Sequence, residues 1–223
     1  PATFRSYGVQ PLREITFSDK RKVLATPEHR WEVRNGAGNI REVTTDELKP
    51  ATHTIERVVA ARPEKNEEYH EGVRHGFVFG DGTRNNRYHR ENHQARAYFW
   101  GEKDAVMKPF FKGCGTGDIR LSTYRDYLEF LSGLPPHYKE LPDPKASASY
   151  WYGFVSGFLA ADGSVDTHGC ALLTQASEAT MRAVEKQLPR IGMVGGEFRS
   201  QVRDTEIGGR VYKDHEMFLL TLL

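Results

Sequence analysis

Two aspartate–glycine pairs stand at matched places in this sequence, and paired carboxylates of this kind could bind a divalent cation. Asp81 lies near the end of the stretch VRHGFVFGDG (residues 73–82), and Asp162 lies at the same place in FVSGFLAADG (residues 154–163). Both stretches share the pattern Gly-Phe-aliphatic-x-small-Asp-Gly, and the two aspartates are 81 positions apart (162 minus 81). A repeat of this length predicts a duplicated α/β unit with pseudo-two-fold symmetry, in which the two motifs meet at the axis.

Small residues recur every four positions in both stretches. They are Gly76 and Gly80 in the first, and Gly153, Gly157 and Ala161 in the second. Residues four apart lie on one face of a helix, where small side chains let two backbones approach closely. Glycine costs up to ~1 kcal/mol in a helix relative to alanine, so this many glycines need a packing reason. The spacing therefore predicts two helices packed face to face.

The two aspartates would then fall at helix C-termini, where a carboxylate is unfavourable against the helix dipole. Two carboxylates brought close together also repel each other, which raises their pKa values unless something compensates. A divalent cation would compensate, since carboxylates, backbone carbonyls, water and phosphate oxygens are the ligands that Mg²⁺ takes. The alternative is that each Asp-Gly pair simply ends a hydrophobic hairpin or a helical turn.

The paired motifs resemble those of the LAGLIDADG, or dodecapeptide, homing endonucleases, over roughly Glu67 to Leu223. The resemblance implies an α+β fold of two αββαββα-like repeats, residues 66–146 and 147–223, in a monomer with internal pseudo-symmetry. Arg74 and His75 depart from it, because small and apolar residues are usual at the start of the first motif. A rival interpretation is therefore a catalytically inactive DNA-binding protein on the same scaffold.

The resemblance also implies a reaction, the metal-dependent hydrolysis of both strands of a long double-stranded DNA site. Asp81 and Asp162 would be the catalytic pair, each acting mainly on one strand. They would hold Mg²⁺ or Mn²⁺ together with the backbone at Gly80 and Ala161. A magnesium-dependent nuclease is thus the function that the motifs predict.

Basic and amide side chains follow each motif in strand-like stretches, where we expect contact with DNA. The candidates are Arg84, Arg87, Arg90 and Arg96 in the first repeat, and Arg199, Gln201, Arg203, Arg210 and Lys213 in the second. Arginine suits guanine edges, and amide side chains suit adenine. Lys213 and Arg210 are also candidates for a basic group in catalysis. The alternative for the first stretch is a solvated charged loop.

The first 65 residues predict a separate β-rich domain, because short alternating stretches are divided by turn signals. Within it, the run VLATPEHRW (residues 23–31) resembles the Thr-x-x-His block of inteins, which have the Hint fold. That resemblance implies that Thr26 polarises a scissile amide and His29 protonates its nitrogen. The alternative is that Thr26 ends a strand and His29 is a turn residue beside Trp31.

The partial Hint segment and the endonuclease together resemble an intein that carries an endonuclease, with the protein into which it is inserted as a partner. Splicing uses a Cys or Ser at the first position and a His-Asn pair at the end. The sequence has Pro1 and Leu222-Leu223 at these places. We therefore expect that the chain as given does not splice, although part of an intact splicing element stays an alternative.

Composition excludes several other classes of protein. Lys and Arg number 31 against 30 Asp and Glu, a formal net charge of +1, so a DNA interface must come from local patches. No apolar run reaches the ~18 residues of a membrane span, so no membrane partner is expected. Two cysteines are too few for a disulfide framework and favour the reducing cytoplasm, here of a bacterial or phage-infected cell.

Periodicity further predicts helices near Asp104–Phe111, over the amphipathic segment Ser122–Leu134, and over Ser177–Ile191. Strands are expected at Ala95–Trp100 and Cys170–Gln175, and a hairpin near the C-terminal end of the sequence.

Overall fold

The computed structural model describes residues 8–18, 22–55, 60–84, 94–113, 120–121, 128–167, 169–207 and 210–222. The chain divides into two compact units, Pro1–Val58 and Val59–Leu223. The sequence places this boundary slightly later, after residue 65. Within the described residues, no helix is long and apolar enough to cross a bilayer.

The first unit is built from short antiparallel strands. Strands β1 (Arg13–Thr16) and β2 (Lys22–Ala25) form a hairpin, and β3 (Arg30–Arg34), β4 (Ile40–Thr44) and β5 (Thr54–Ile55) form a sheet in the order β4-β3-β5. A 3₁₀ turn follows β4, and the Glu47 carboxylate accepts a hydrogen bond from the Thr44 backbone N–H at 2.8 Å. This contact satisfies a backbone donor at the start of the turn.

The second unit has two halves with the same order of elements. The first contains α1 (Glu67–Asp81), β6 (Gly82–Arg84), β7 (Ala95–Trp100), a 3₁₀ run (Gly101–Phe111), β8 (Arg120–Leu121), β9 (Leu128–Leu134) and a 3₁₀ turn (Pro136–Lys139). The second contains α2 (Ala148–Asp162), β10 (Gly163–Val165), β11 (Ala171–Gln175), α3 (Glu178–Gln187), a 3₁₀ turn (Leu188–Ile191), β12 (Gly195–Ile207) and β13 (Arg210–Leu222). Their antiparallel sheets have the equivalent orders β6-β7-β9-β8 and β10-β11-β13-β12.

Helices α1 and α2 pack with their backbones in direct contact at the glycines. A Cβ atom on Gly76 would lie 1.9 Å from the Phe154 carbonyl oxygen, and one on Gly157 would lie 2.1 Å from the Val73 carbonyl oxygen. These two contacts are related by the 81-residue offset of the repeat. The same reciprocal relation holds for Gly72 with Tyr150 and for Gly153 with Tyr69. The predicted helix pair is thus confirmed, and it is symmetric at the level of individual carbonyls.

Each half has its own hydrophobic core on the helix side of its sheet. In the first, Phe77 of α1 stacks on Phe99 of β7, with ring centroids 5.3 Å apart. In the second, Phe158 of α2 and Leu173 of β11 are fully buried with residues of α3. Because α1 and α2 join the two cores along their shared seam, the ends of these helices are firmly positioned.

One predicted helix is wrong, one forms as a 3₁₀ helix, and one is confirmed as an α-helix. Within Ser122–Leu134 the structure describes a strand at Leu128–Leu134, with Leu131 opposite Ala97 of β7. Apolar residues at short spacing suit either element, and here pairing with β7 decides for the strand. The segment Gly101–Phe111 is a 3₁₀ run that contains Pro109, which cannot supply the N–H of an α-helical bond. Helix α3 and its 3₁₀ extension match the prediction.

Candidate active site

The two aspartates are the last residues of α1 and α2, and the helix packing brings these ends together. A Cβ atom on Gly80 would lie 2.5 Å from the Ala161 Cβ and 3.1 Å from the Asp162 carboxylate oxygen Oδ2. The Asp162 carboxylate therefore lies against the residue that precedes Asp81. A larger residue at position 80 would push into this space, so the glycine keeps the carboxylates close.

The glycines that follow the aspartates are required by space rather than by backbone angles. A Cβ atom on Gly82 would lie 2.2 Å from the Val78 carbonyl oxygen, and one on Gly163 would lie 2.1 Å from the Leu159 carbonyl oxygen. Both glycines have extended backbone, so the chain turns directly from helix into strand. Each carboxylate is thereby presented at the junction of a helix and a sheet.

Lys103 neutralises the first carboxylate. Its ammonium nitrogen Nζ lies 3.2 Å from Asp81 Oδ2 and 3.2 Å from Asp104 Oδ1. The Asp104 side chain is 1% exposed, and its other oxygen accepts a hydrogen bond from the Trp100 backbone N–H at 2.7 Å. Within the described residues the buried Oδ1 atom makes no hydrogen bond, so the ion pair with Lys103 compensates its charge. Asp104 thus anchors Lys103 beside Asp81.

Lys139 brings a second positive charge to the end of α1. Its ammonium group donates hydrogen bonds to the carbonyl oxygens of Val78, at 3.1 Å, and of Phe79. These carbonyls belong to the last turn of the helix, where no further residue of the helix can satisfy them. A cation at this end is also favourable for the helix dipole, and it offsets part of the cost of placing Asp81 there.

A glutamine lies beside the second carboxylate. Gln175 Nε2 lies 3.4 Å from Asp162 Oδ2, a long hydrogen bond. Gln175 ends β11, and Lys103 lies in the 3₁₀ run directly after β7, so each lies at or just beyond the end of the strand that pairs with the one leaving the aspartate. The first half therefore places the basic Lys103 beside its aspartate, and the second half places the neutral Gln175 beside its own.

The pKa values reflect this arrangement. Burial and the charge of Asp81 raise the pKa of Asp162 to about 6, against the opposing effect of Lys139 and Lys103. Burial also raises the pKa of Asp81, although Lys103 lowers it. Burial lowers the pKa of Lys139, whereas for Lys103 the neighbouring carboxylates outweigh burial and raise the pKa. The carboxylate pair is thus crowded and only partly compensated by the two lysines.

The donor set fits a divalent cation that takes part of its ligands from a substrate. The described residues contain no cluster of three or more His, Cys, Asp or Glu side chains able to hold a metal ion. Two adjacent carboxylates with raised pKa values gain from a shared cation. The carbonyls of Gly80 and Ala161, water and phosphate oxygens would complete a Mg²⁺ shell.

Several predicted DNA-contact residues lie on sheet faces turned away from the helices. On β7, Arg96 alternates with the fully buried Ala95 and Ala97, so it shares the outer face with Tyr98 and Trp100. On β12, Arg199 and Gln201 alternate with Phe198, which packs against the second core. Further candidates on the second sheet are Lys213, which is exposed on β13, and Arg203, whose register partner is His215.

Other predicted residues are placed differently or not described. Arg84 pairs in register with buried Ala95, on the face opposite to Arg96, and its guanidinium forms an ion pair with Glu140. Arg87 and Arg90 lie outside the described residues, and Arg210 is described only as the backbone that opens β13.

In the first unit, the two residues of the Hint-like block form a turn. The His29 N–H donates to the Thr26 carbonyl oxygen at 3.1 Å, between β2 and β3, and the His29 ring contacts Trp31 edge-on with centroids 4.7 Å apart. A cavity of about 810 Å³ in this unit is lined by residues 13–18 and by most of residues 45–55, and neither Thr26 nor His29 lines it.

Sequence reasoning missed the polar residues nearest the carboxylates, Lys103, Lys139 and Gln175. A signal existed for two of them, since Gln175 ends the second strand after its motif and Lys103 follows shortly after the equivalent strand of the first half. Lys139 carries no such signal, because it is 58 positions beyond Asp81 and reaches α1 only through tertiary folding.

No family model and no curated protein sequence matches this chain. Among solved structures, a single-residue variant of I-DmoI, in complex with its target DNA in the presence of 2 mM Mg, is similar with a TM-score of 0.51 and 12% identity. The similarity covers 72% of this chain and 92% of that one. Over the part of the chain that this similarity covers, the fold is therefore that of I-DmoI, a LAGLIDADG homing endonuclease.

Two further solved structures are similar at lower TM-scores. Mesophilic variants of the homing endonuclease I-DmoI give 0.48, with 12% identity over 70% of this chain and 89% of that one. The N-terminal LAGLIDADG domain of DUF199/WhiA gives 0.45, with 12% identity over 70% of this chain and 77% of that one. I-DmoI structures also include complexes with DNA and Mn, and with DNA and Ca.

Proposed function

We propose that this protein is a homing-type endonuclease that hydrolyses both strands of a long double-stranded DNA site with Mg²⁺ or Mn²⁺. The observation that carries the proposal is the meeting of Asp81 and Asp162 at the joined ends of α1 and α2. The I-DmoI fold, seen with target DNA and Mg, is the supporting comparison. A single chain with two related halves suits a duplex, whose two strands are also related by two-fold symmetry.

Asp81 and Asp162, with the carbonyls of Gly80 and Ala161, would hold the cation. When bound, the cation supplies activation of water and stabilisation of the leaving oxygen at the scissile phosphate. The ion pair with Lys103 favours the ionised form of Asp81, the form able to bind a cation, against the opposing effect of burial.

The outer faces of the two sheets would bind the DNA. Arg96 in the first half, and Arg199 and Gln201 in the second, project from these faces. Arginines would contact phosphates or guanine edges, and the glutamine would contact adenine. Tyr98 and Trp100 add apolar surface next to Arg96, suited to contact with thymine methyl groups.

The test uses Asp81→Asn and Asp162→Asn, with Glu178→Gln on the exposed start of α3 as the matched control. Targets are first selected from a randomised duplex library by binding, and cleavage is then measured with Mg²⁺ or Mn²⁺. We expect both aspartate variants to bind the selected DNA but lose double-strand cleavage, while the control cleaves like the wild type. Full cleavage by both aspartate variants would refute the assignment.

One observation favours the second candidate, a DNA-binding protein without nuclease activity. Lys103 and Lys139 already offset part of the charge of the carboxylates, so this pair needs a cation less than two uncompensated carboxylates would. This candidate predicts that the wild type binds selected duplexes but neither nicks nor cleaves them with any divalent cation. Cleavage by the wild type and its loss in Asp162→Asn would exclude it.

We infer that the first unit is a partial Hint segment, so that the gene encodes an intein inserted in a host protein. Support comes from the Thr26–His29 block and its place ahead of the paired motifs. The test is to express the chain together with the coding sequence on both sides and to search for joined flanks by mass spectrometry. Spliced product would support the inference, and unrelated flanking sequence with no ligation would refute it.

A further inference from the structure

The segment that joins the two halves runs across the end of α1. We call residues 136–140 the strap; it contains the 3₁₀ turn Pro136–Lys139 and Glu140. The strap delivers the Lys139 ammonium group to the last carbonyls of α1. From there its positive charge offsets part of the rise that burial causes in the pKa values of Asp162 and Asp81. The position of the strap therefore contributes to the electrostatics of the candidate active site.

One buried side chain of α1 connects the strap to both central helices. His75 is 2% exposed, and its ring nitrogens both have partners. Nε2 lies 2.8 Å from the Glu140 carbonyl oxygen in the strap, and Nδ1 lies 2.8 Å from the Tyr150 hydroxyl of α2. The His75 ring also stacks on Tyr138 of the strap, with centroids 5.0 Å apart and an interplanar angle of 14°.

The packing of the two helices does not itself require a histidine at this place. The residue 81 positions later, Ser156 of α2, is the repeat equivalent of His75, and its hydroxyl donates to the Tyr152 carbonyl oxygen of its own helix, at 2.8 Å. Burying an imidazole is costly unless its nitrogens are satisfied, as they are here by the strap and by α2. The histidine thus occurs in the half that the strap follows.

We propose that His75 is a positioning residue that fixes the strap against α1 and α2 and thereby holds Lys139 at the carboxylate pair. The role in catalysis rests on the proposed function, but the placement of Lys139 does not. His75 would act through Lys139 and would touch neither DNA nor cation. Two measurements test the placement of Lys139 and the role of His75 in catalysis separately.

The first measurement needs no nuclease activity. The folded chain is treated with an amine-acylating reagent, and the rate of modification at Lys139 is followed by mass spectrometry. His75→Phe keeps the stacked ring but removes both hydrogen bonds, so we expect Lys139 to be modified about tenfold faster. His75→Gln can still donate to the Glu140 carbonyl and should stay close to the wild type.

The matched control is Trp151→Phe. It removes the hydrogen bond from Trp151 Nε1 to the Asp143 carbonyl oxygen at 3.0 Å, which anchors the same linker just beyond the strap. We expect no change at Lys139 in this variant. If His75→Phe does not fold, Tyr150→Phe removes only the partner of Nδ1 and should give a smaller increase. Unchanged modification of Lys139 in folded His75 and Tyr150 variants would overturn the proposal.

The second measurement is a double-mutant cycle on DNA cleavage. We expect His75→Phe to slow cleavage without weakening DNA binding, and to slow it no further in a Lys139→Met background. Equal fold losses in both backgrounds would show that His75 does not act through Lys139. If the wild type cleaves no DNA, the proposed nuclease function fails, and the modification rates at Lys139 still decide the placement.

Discussion

Two chemically identical carboxylates occupy different environments in this protein. Asp81 forms an ion pair with Lys103, whereas Asp162 has Gln175 as its neighbour and the pKa near 6. A positive charge favours the ionised form of a carboxylate, and a neutral amide does so much less. At the scale of the residue, the two halves of the site are therefore not equivalent, although their backbones are closely related.

Lys103→Met removes the cation beside Asp81. We expect the pKa of Asp81 to rise further, so that DNA cleavage falls more at pH 6 than at pH 8 and nicked product accumulates. The measurement is the pH profile of each strand's cleavage, with Lys186→Met on the exposed face of α3 as the control. A profile that moves equally in both variants would contradict the role given to Lys103.

At the scale of the element, the spacing of the helix pair is determined by carbonyl oxygens in contact with glycines. At Gly76 a side chain would lie 1.9 Å from the Phe154 carbonyl oxygen, and backbone cannot move aside as a flexible side chain could. The helices would have to separate, and the carboxylates at their ends would separate with them. The spacing of the two helices and the distance between the two carboxylates therefore depend on the same glycines.

Gly76→Ala is expected to destabilise the fold by about 3 kcal/mol or more, as overpacking of a tight interface does. Gly36→Ala is the control, because a Cβ atom there meets nothing within 4 Å. Urea unfolding of both variants measures the free energies. A stable Gly76→Ala protein with unchanged unfolding would show that the helix contact is looser than described.

The alternation of side chains along the strands separates the arginines on the outer sheet faces, which we propose contact DNA, from the others. Arg199→Ala should weaken DNA binding and reduce the slope of log affinity against log salt by about 0.9, the effect of one lost phosphate contact. Arg84→Ala should leave this slope unchanged, because Arg84 is on the other face and paired with Glu140. Binding titrations at several salt concentrations measure both slopes, and equal slopes for the two variants would contradict the assignment of faces.

At the scale of the whole molecule, buried ionisable groups make stability depend on pH in two opposing ways. Burial lowers the pKa of His75 to about 4 in the folded protein. Between pH 6.5 and pH 4 this histidine is therefore protonated in the unfolded chain but neutral in the folded one. Stability from this group is lost as the pH falls from 6.5 towards 4. Burial raises the pKa of Asp162 to about 6, so this group contributes stability as the pH falls below about 6, and the raised pKa of Asp81 acts in the same direction.

Comparing the wild type with His75→Gln isolates the contribution of His75 to the pH dependence of stability, because glutamine does not titrate. Between pH 7 and pH 5 the wild type should lose about 2 kcal/mol of unfolding free energy relative to the variant. Urea unfolding at the two pH values measures this difference. Parallel pH profiles for the two proteins would show that His75 is not buried in its neutral form.

Much of the site followed from local pattern, and the remainder depended on the folded chain. The helices at Glu67–Asp81 and Ala148–Asp162 were predictable because Gly spacing and a closing Asp-Gly are local features repeated at a fixed offset. The strand at Leu128–Leu134 was not, because its apolar spacing suits a helix equally well. Pairing with β7 over a distance in sequence decided between them.

The sequence by itself determined the duplicated helices, their small-residue faces and the aspartates at their ends, because each depends on spacing within a few turns. Only the tertiary structure decided which basic groups reach those aspartates. Lys103 and Lys139 arrive from segments 22 and 58 positions beyond Asp81, through sheet pairing and through the strap. Such meetings depend on long-range packing, and no local propensity encodes them.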